Sequence, residues 1–327
     1  MKVNLGVKMP AIQPENVLTL PRVSVDNPLA IARPVAKLVK AKTTFEGEGF
    51  MVRRPFPGGI SMRDVDPFLL LDQMGGFELE PEEAKGTPWH PHRGFETVTY
   101  MMDGQLSHQD TSGGGGTITD GSTQWMTAGS GILHIEQPSE YLLRHGGMMH
   151  GVQLWVNLPA AHKMSPPKYQ GIEAQSVKLL TSADGGAVIR LIAGDLAGHV
   201  GPGSTFTPIT YAHITLSPGA RVDLPWNPEF NAMVYSLNGS GTVGVEQAPL
   251  AESTLAIFGT GDTITIQADN SQNGAAKKLD VLVLGGKPIG EPVAHYGPFV
   301  MNTHAELVQA VEDFQAGRMG VIPPVHV

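Results

Sequence analysis

The stretch Trp89-His90-Pro91-His92-Arg93-Gly94-Phe95-Glu96, set against Gly131-Ile132-Leu133-His134-Ile135-Glu136, decides how the rest of the chain is read. Each segment carries two potential metal ligands two residues apart, His90 with His92 and His134 with Glu136. In an extended strand, side chains at i and i+2 leave the backbone on the same face. Two such strands lying close together aim three imidazoles and one carboxylate at a common point inside a barrel. Nitrogen and oxygen donors without thiolate suit a divalent first-row metal: Fe(II), and also Ni, Co, Mn, Cu or Zn.

The surrounding composition agrees with a strand-built protein. The chain has 327 residues, more than one domain usually holds, so two domains are predicted. Hydrophobic residues make up 41% and charged residues 16%, with 40 Gly and 26 Pro, which favours short strands and turns over long surface helices. There is no cysteine, which excludes disulfides and thiolate sites and fits a reducing compartment. The net charge of −9, with no basic run, argues against a surface that tracks nucleic-acid phosphates. Met1-Lys2-Val3-Asn4-Leu5-Gly6-Val7-Lys8 lacks the apolar core of a secretory signal, and no apolar run is long enough to span a membrane. A cytoplasmic protein with no direct nucleic-acid or membrane partner is the expectation.

Along the chain, residues 1–44 carry scattered prolines and little periodicity, and read as an extended N-terminal arm packed on the body or on a partner subunit. From Phe45 onward, runs such as Glu96-Thr97-Val98-Thr99-Tyr100-Met101 and Gly151-Val152-Gln153-Leu154-Trp155-Val156-Asn157-Leu158 read as strands. Asp110-Thr111-Ser112-Gly113-Gly114-Gly115-Gly116-Thr117 reads as a flexible turn between strands. The proline-broken stretch 159–169 marks a boundary, after which the strand rhythm resumes. The expected division is an N-terminal extension over 1–44, a metal-binding barrel over 45–165 and a second, metal-free barrel over 166–327. Two barrels of similar size suggest a duplicated unit. One helix closes the chain. Thr303-His304-Ala305-Glu306 reads as a capping box, Leu307, Val311 and Phe314 form its apolar stripe, and Gly317 ends it.

His90, His92 and Glu96 match the first cupin motif, with Gly104 one residue later than the usual spacing. Gly131-Ile132-Leu133-His134 matches the tail of the second, although Gly129 stands where that motif has Pro and Thr123 where it opens with Gly. Longer blocks resemble the pirin family: Asp66-Pro67-Phe68-Leu69-Leu70-Leu71-Asp72, the His90 to Val98 stretch, Gln124 to His134, and His150 to Leu158. Glu291-Pro292-Val293 and His295-Tyr296-Gly297-Pro298-Phe299-Val300-Met301-Asn302-Thr303 are similar to that family's closing signature. The likeness runs from about Phe45 to the end, and the N-terminal arm is longer than in a pirin.

The resemblance implies an all-β bicupin of two tandem double-stranded β-helix barrels with a C-terminal helix. It implies one divalent metal, usually iron, held by His90, His92, His134 and Glu136. Glu96 is then a nearby non-ligand, and its even offset from His92 makes it a candidate inward-facing acceptor behind the ligands. Members of the family are credited with quercetin 2,3-dioxygenase activity, which implies a flavonol substrate, O2, and release of carbon monoxide and a depside. Glu136 would double as ligand and general base. Pirins are also described as regulators that bind transcription factors or metabolic enzymes, so a protein partner is the competing expectation. His108 and His150 fall inside pirin-like blocks and are candidates for lining the site. His145, His162, His199, His213, His295, His304 and His326 show no ligand spacing, and His213 has no carboxylate close in sequence. Trp125, Met126, Met148 and Met149 read as core before pocket wall.

Overall fold

The computed structural model describes residues 12–25, 27–272 and 277–323. The Met1 to Lys8 stretch and His326, considered above, lie outside the described residues. The expected all-β architecture is present. β-branched and aromatic residues recur in short runs between glycines and prolines, and these runs fold as strands. Among the described residues no helix is long and apolar enough to cross a membrane.

One unit carries the histidine motifs. Its larger sheet has seven strands in the order Lys168–Ile172, Thr123–Thr127, Phe95–Asp103, Gly147–Asn157, Phe68–Leu79, Phe50–Phe56 and Lys42–Glu46. Its smaller sheet orders Thr87–His92, Ile132–Pro138, Leu106–Asp110 and Gly115–Ile118. The central strand Phe95–Asp103 is buried along its whole length, because it has neighbours on both edges and is covered on both faces. The glycine-rich stretch after Asp110 is a hairpin turn. Asp110 accepts from the backbone N–H and hydroxyl of Ser112 and from the N–H of Gly114 (3.2 Å), which braces the connection.

The other unit pairs an eight-stranded sheet with a four-stranded one. Its interior is apolar, filled by Leu180, Ile189, Leu191, Ile214, Leu224, Val234, Ile264, Val281 and their neighbours. His213 lies on the opposite face from that interior. Strand register sets Arg190 opposite His213 and Asp280 opposite Thr215, so these four share one face and are all buried. Arg190 donates to the Thr215 hydroxyl (2.9 Å), that hydroxyl donates to Asp280, and His213 Nε2 lies 3.4 Å from Asp280. The carboxylate partner that His213 lacks in the sequence is supplied by a strand far along the chain.

The continuous division at 165/166 does not match the contacts. Of the described residues, the unit with the histidine motifs comprises 43–54, 68–174 and 289–323, and the other comprises those up to 42, 55–67, 175–272 and 277–288. The described part of the N-terminal extension packs on the body of the protein through strand pairing. Arg22–Val23 pairs in parallel with Lys178–Ser182, and Val35–Lys40 pairs with Thr254–Phe258. The unit with the histidine motifs also runs past residue 165, because Lys168–Ile172 pairs with Thr123–Thr127. The closing helix, His304–Gln315, belongs to that same unit and not to the second barrel. It buries Leu307 and Ala310 against Leu133, Phe299, Met301 and Met319. Its N-terminus carries the expected capping box, with Glu306 N–H donating to Thr303 Oγ1 (3.3 Å) and Thr303 N–H to Glu306 Oε2 (2.8 Å). The buried face centres on Ala310, which leaves Phe314 38% exposed.

Asp280→Ala removes the carboxylate that faces buried Arg190 and His213. It should cost about 3 kcal/mol or more in urea denaturation, the scale of breaking a buried charge network. A loss below about 1 kcal/mol would contradict this account of the cluster.

Candidate metal centre

Register builds the centre. His134 stands opposite His90 on one neighbouring strand and opposite Asp110 on the other, while Glu136 stands opposite His108. Opposed residues in antiparallel strands share a face, so these groups point the same way, into the barrel. The pairing of Ile132–Pro138 with Thr87–His92 shifts between His134 and Glu136, a bulge that sets Glu136 opposite Thr87.

The three imidazoles meet. His90, His92 and His134 offer ring nitrogens that all lie within 4.8 Å of one another, and His90 Nε2 is 2.8 Å from His134 Nε2. His90 Nδ1 lies 2.8 Å from the Pro88 carbonyl, which can only accept. The His90 proton therefore sits on Nδ1, and the Nε2 lone pair faces the other rings. His92 Nδ1 faces the Pro298 carbonyl at 3.4 Å in the same sense. Burial lowers the pKa values of His92 and His134 well below the ordinary histidine value, and the neighbouring imidazoles lower them further. Both are thus neutral, the form that ligates. Three imidazoles converging there, His92 and His134 among them in the neutral form, fit a divalent ion.

Glu136 is the neighbouring carboxylate. Its Oε1 lies 3.1 Å from the Thr99 hydroxyl, and its Oε2 accepts from Gln153 Nε2 at 3.3 Å. Burial raises its pKa above the ordinary carboxylate value, while His90 and these two hydrogen bonds act in the opposite direction. Thr99 and Gln153 come from facing positions of adjacent strands, and Thr99 Oγ1 also lies 2.6 Å from Gln153 Oε1. Neither residue is singled out by motif spacing; their signal is the inward parity of their strands. The same parity brings Phe95 and Trp155 edge-on to His92, with ring centroids at 5.1 and 5.4 Å. His108 lies close enough to His134 to help lower its pKa, and it stacks on Tyr169 at 5.6 Å and 21°. Burial takes the His108 pKa down to about 4, so its imidazole is neutral as well.

Other candidates sit elsewhere. Glu96 does not face the ligands. Gly94, with φ of 88°, ends the alternation that began at His90, and Glu96 starts the next strand on the face opposite Phe95, Thr97 and Thr99. There it accepts from Thr127 Oγ1 at 2.6 Å. Trp125 shares that outer face. Met126 and Met149 are core, packed respectively with Ala128 and Ile132 and with Val52 and Met74. His150 meets Gln73 at 2.9 Å.

Two barrels, one with an apolar interior and one enclosing three convergent histidines, define a bicupin with a centre able to hold a metal ion. The family model described as Pirin matches residues 49–156, and the one described as the Pirin C-terminal cupin domain matches residues 211–320. The chain belongs to the pirin family. It is 40% identical over 298 residues to Pirin-like protein 2 of Arabidopsis thaliana, covering 89% of this chain and 86% of that one. It is 35% identical over 292 residues to human Pirin, covering 88% of this chain and 94% of that one. A crystal structure of a quercetin 2,3-dioxygenase from Acinetobacter baumannii superposes with a TM-score of 0.83 at 38% identity, over 90% of this chain and all of that one.

His134→Ala removes one of three nitrogen donors and should leave purified protein with less than about a tenth of the wild-type metal content by elemental analysis. Retention of a full complement would contradict the convergence of donors. Glu96 yields a separate, pH-dependent expectation. Burial pushes its carboxyl up from 4.5 to about 7, against the opposing hydrogen bond from Thr127. A raised carboxyl pKa means that the folded state holds the proton more tightly, so stability is lost as pH rises from about 4.5 to 7. Glu96→Gln should therefore flatten the denaturation free energy of metal-free protein across that window, by about 2–3 kcal/mol relative to wild type. Parallel pH profiles for the two proteins would refute it.

Proposed function

We propose that this chain is a cytoplasmic, metal-dependent dioxygenase that cleaves flavonols such as quercetin, taking up O2 and releasing carbon monoxide and a depside. Fe(II) is the proposed native ion, with Ni, Co, Mn, Cu or Zn as ions the same donors accept. The observation that carries the reading is three imidazoles converging inside a barrel, with the buried carboxylate of Glu136 two residues along the strand from His134. Similarity to the Acinetobacter quercetin 2,3-dioxygenase supports the substrate class.

In this reading His90, His92, His134 and Glu136 are the ligands. A bound ion supplies Lewis acidity toward the substrate's oxygens and, as iron, a redox couple suited to O2. The remaining work falls to the protein. Glu136, its pKa raised by burial, takes the proton of the flavonol 3-hydroxyl onto a carboxylate oxygen. Thr99 and Gln153 fix the direction in which that carboxylate points. Phe95 and Trp155 beside His92, and the His108–Tyr169 stack, line this part of the barrel with aromatic rings and limit the entry of water.

The direct test follows aerobic loss of quercetin absorbance with iron-loaded and metal-free protein. Consumption should require the ion, and Glu136→Gln should lower the rate at least ~100-fold while metal remains bound, the scale of losing a general base. A wild-type rate in that variant would remove Glu136 from the chemistry. Absence of metal-dependent consumption in the wild type would reject the dioxygenase and favour a regulator that binds a protein partner.

A further inference from the structure

We infer that the C-terminal segment from Ala294 to Met319 is a latch on the metal centre, and that Arg93 and Asp313 are its positioning pair. Arg93 follows ligand candidate His92 directly, and its main chain is bridged to this segment. Its N–H donates to the Pro298 carbonyl (3.4 Å), and its carbonyl accepts from Val300 N–H (3.1 Å). The same Pro298 carbonyl faces His92 Nδ1 at 3.4 Å, so one peptide oxygen sets both the turn and the rotation of the imidazole.

The Arg93 side chain extends the fastening. Its Nε donates to the Ser130 carbonyl (2.7 Å), just ahead of the strand that carries His134 and Glu136. Its Nη1 pairs with Asp313 Oδ2 of the closing helix at 2.7 Å, with the two side chains only 5% and 13% exposed. One guanidinium thus ties together the first ligand turn, the approach to the second ligand strand, and the helix.

Other contacts repeat the pattern. Buried Lys163 donates to the carbonyls of Gly94 (2.8 Å) and Val300 (2.9 Å) and to Asn157 Oδ1 (2.7 Å). At Gly94 an added Cβ would come within 2.0 Å of the Val300 oxygen, so the segment lies directly against that turn. On the other ligand strand, Thr111 Oγ1 donates to the Met319 carbonyl (3.0 Å), and Thr111 N–H donates to Leu133 O (3.0 Å), next to His134. None of these groups is a donor to the ion. Together they hold the two ligand-bearing strands at the separation that lets the imidazoles converge. Groups behind metal ligands typically change affinity ~10–100-fold when removed.

The test uses the full chain loaded with Co(II), followed by release of the ion to an excess of chelator. Asp313→Asn should release Co(II) about tenfold faster than wild type, and Asp313→Glu should restore most of the difference. The double variant Arg93→Met with Asp313→Leu leaves neither charge buried alone, and it should release the ion at least as fast as Asp313→Asn. A purely structural role would lower the melting temperatures of metal-free and Co(II)-loaded protein equally. The latch instead predicts that the rise in melting temperature on adding Co(II) shrinks, because that rise follows affinity. Should Asp313→Asn fail to fold, the double variant decides. Release within about twofold of wild type, with the Co(II)-induced rise intact, overturns the inference.

Discussion

Three imidazoles whose ring nitrogens converge inside one barrel impose the central constraint on this molecule. Polar groups taken out of water are costly unless something inside satisfies them. Here the Nδ1 atoms of His90 and His92 turn to peptide carbonyls, while the Nε2 atoms of His90 and His134 converge. Burial and mutual repulsion keep His92 and His134 neutral, so the arrangement is ready for a cation and poorly suited to a proton. The strand register, the bulge before Glu136 and the sharp turn at Gly94 all serve this convergence.

The two barrels meet the cost of burial differently. The barrel without the histidine cluster fills its interior with aliphatic side chains, and its own polar group, Arg190 with His213, Thr215 and Asp280, is buried on the sheet face opposite that interior. The barrel with the histidine cluster admits polar groups to its interior and must hold each in place. Thr99 and Gln153 do this for Glu136. The closing segment does it for His92 from more than two hundred residues away in sequence. That gives the family's closing signature a physical role, since Pro298 and Val300 form a backing layer for the first ligand motif.

Much of this was legible in the chain. The spacing of His90 with His92, and the position of His134, marked the three imidazoles that converge, because a period of two survives within any single strand. The capping box at Thr303 and the glycine turn after Asp110 were local signals, and they fold locally. What failed was parity carried across a break: Glu96 sits at an even offset from His92, yet the Gly94 turn reverses its face. The linear domain division failed for a related reason. Strand pairing joins residues 22–23 and 35–40 to one unit, side-chain packing joins residues 294–319 to the other, and such long-range contacts leave no mark in composition. Asp280, the partner of His213, was invisible for the same reason.

The account stands on the identity of the donors around the ion. X-ray absorption at the metal edge of iron-loaded protein, prepared without oxygen, reads that shell directly. It should show nitrogen and oxygen neighbours at about 2.0–2.2 Å, with outer-sphere scattering from three imidazole rings. A shell of oxygen atoms alone, or scattering from one imidazole or none, would contradict it.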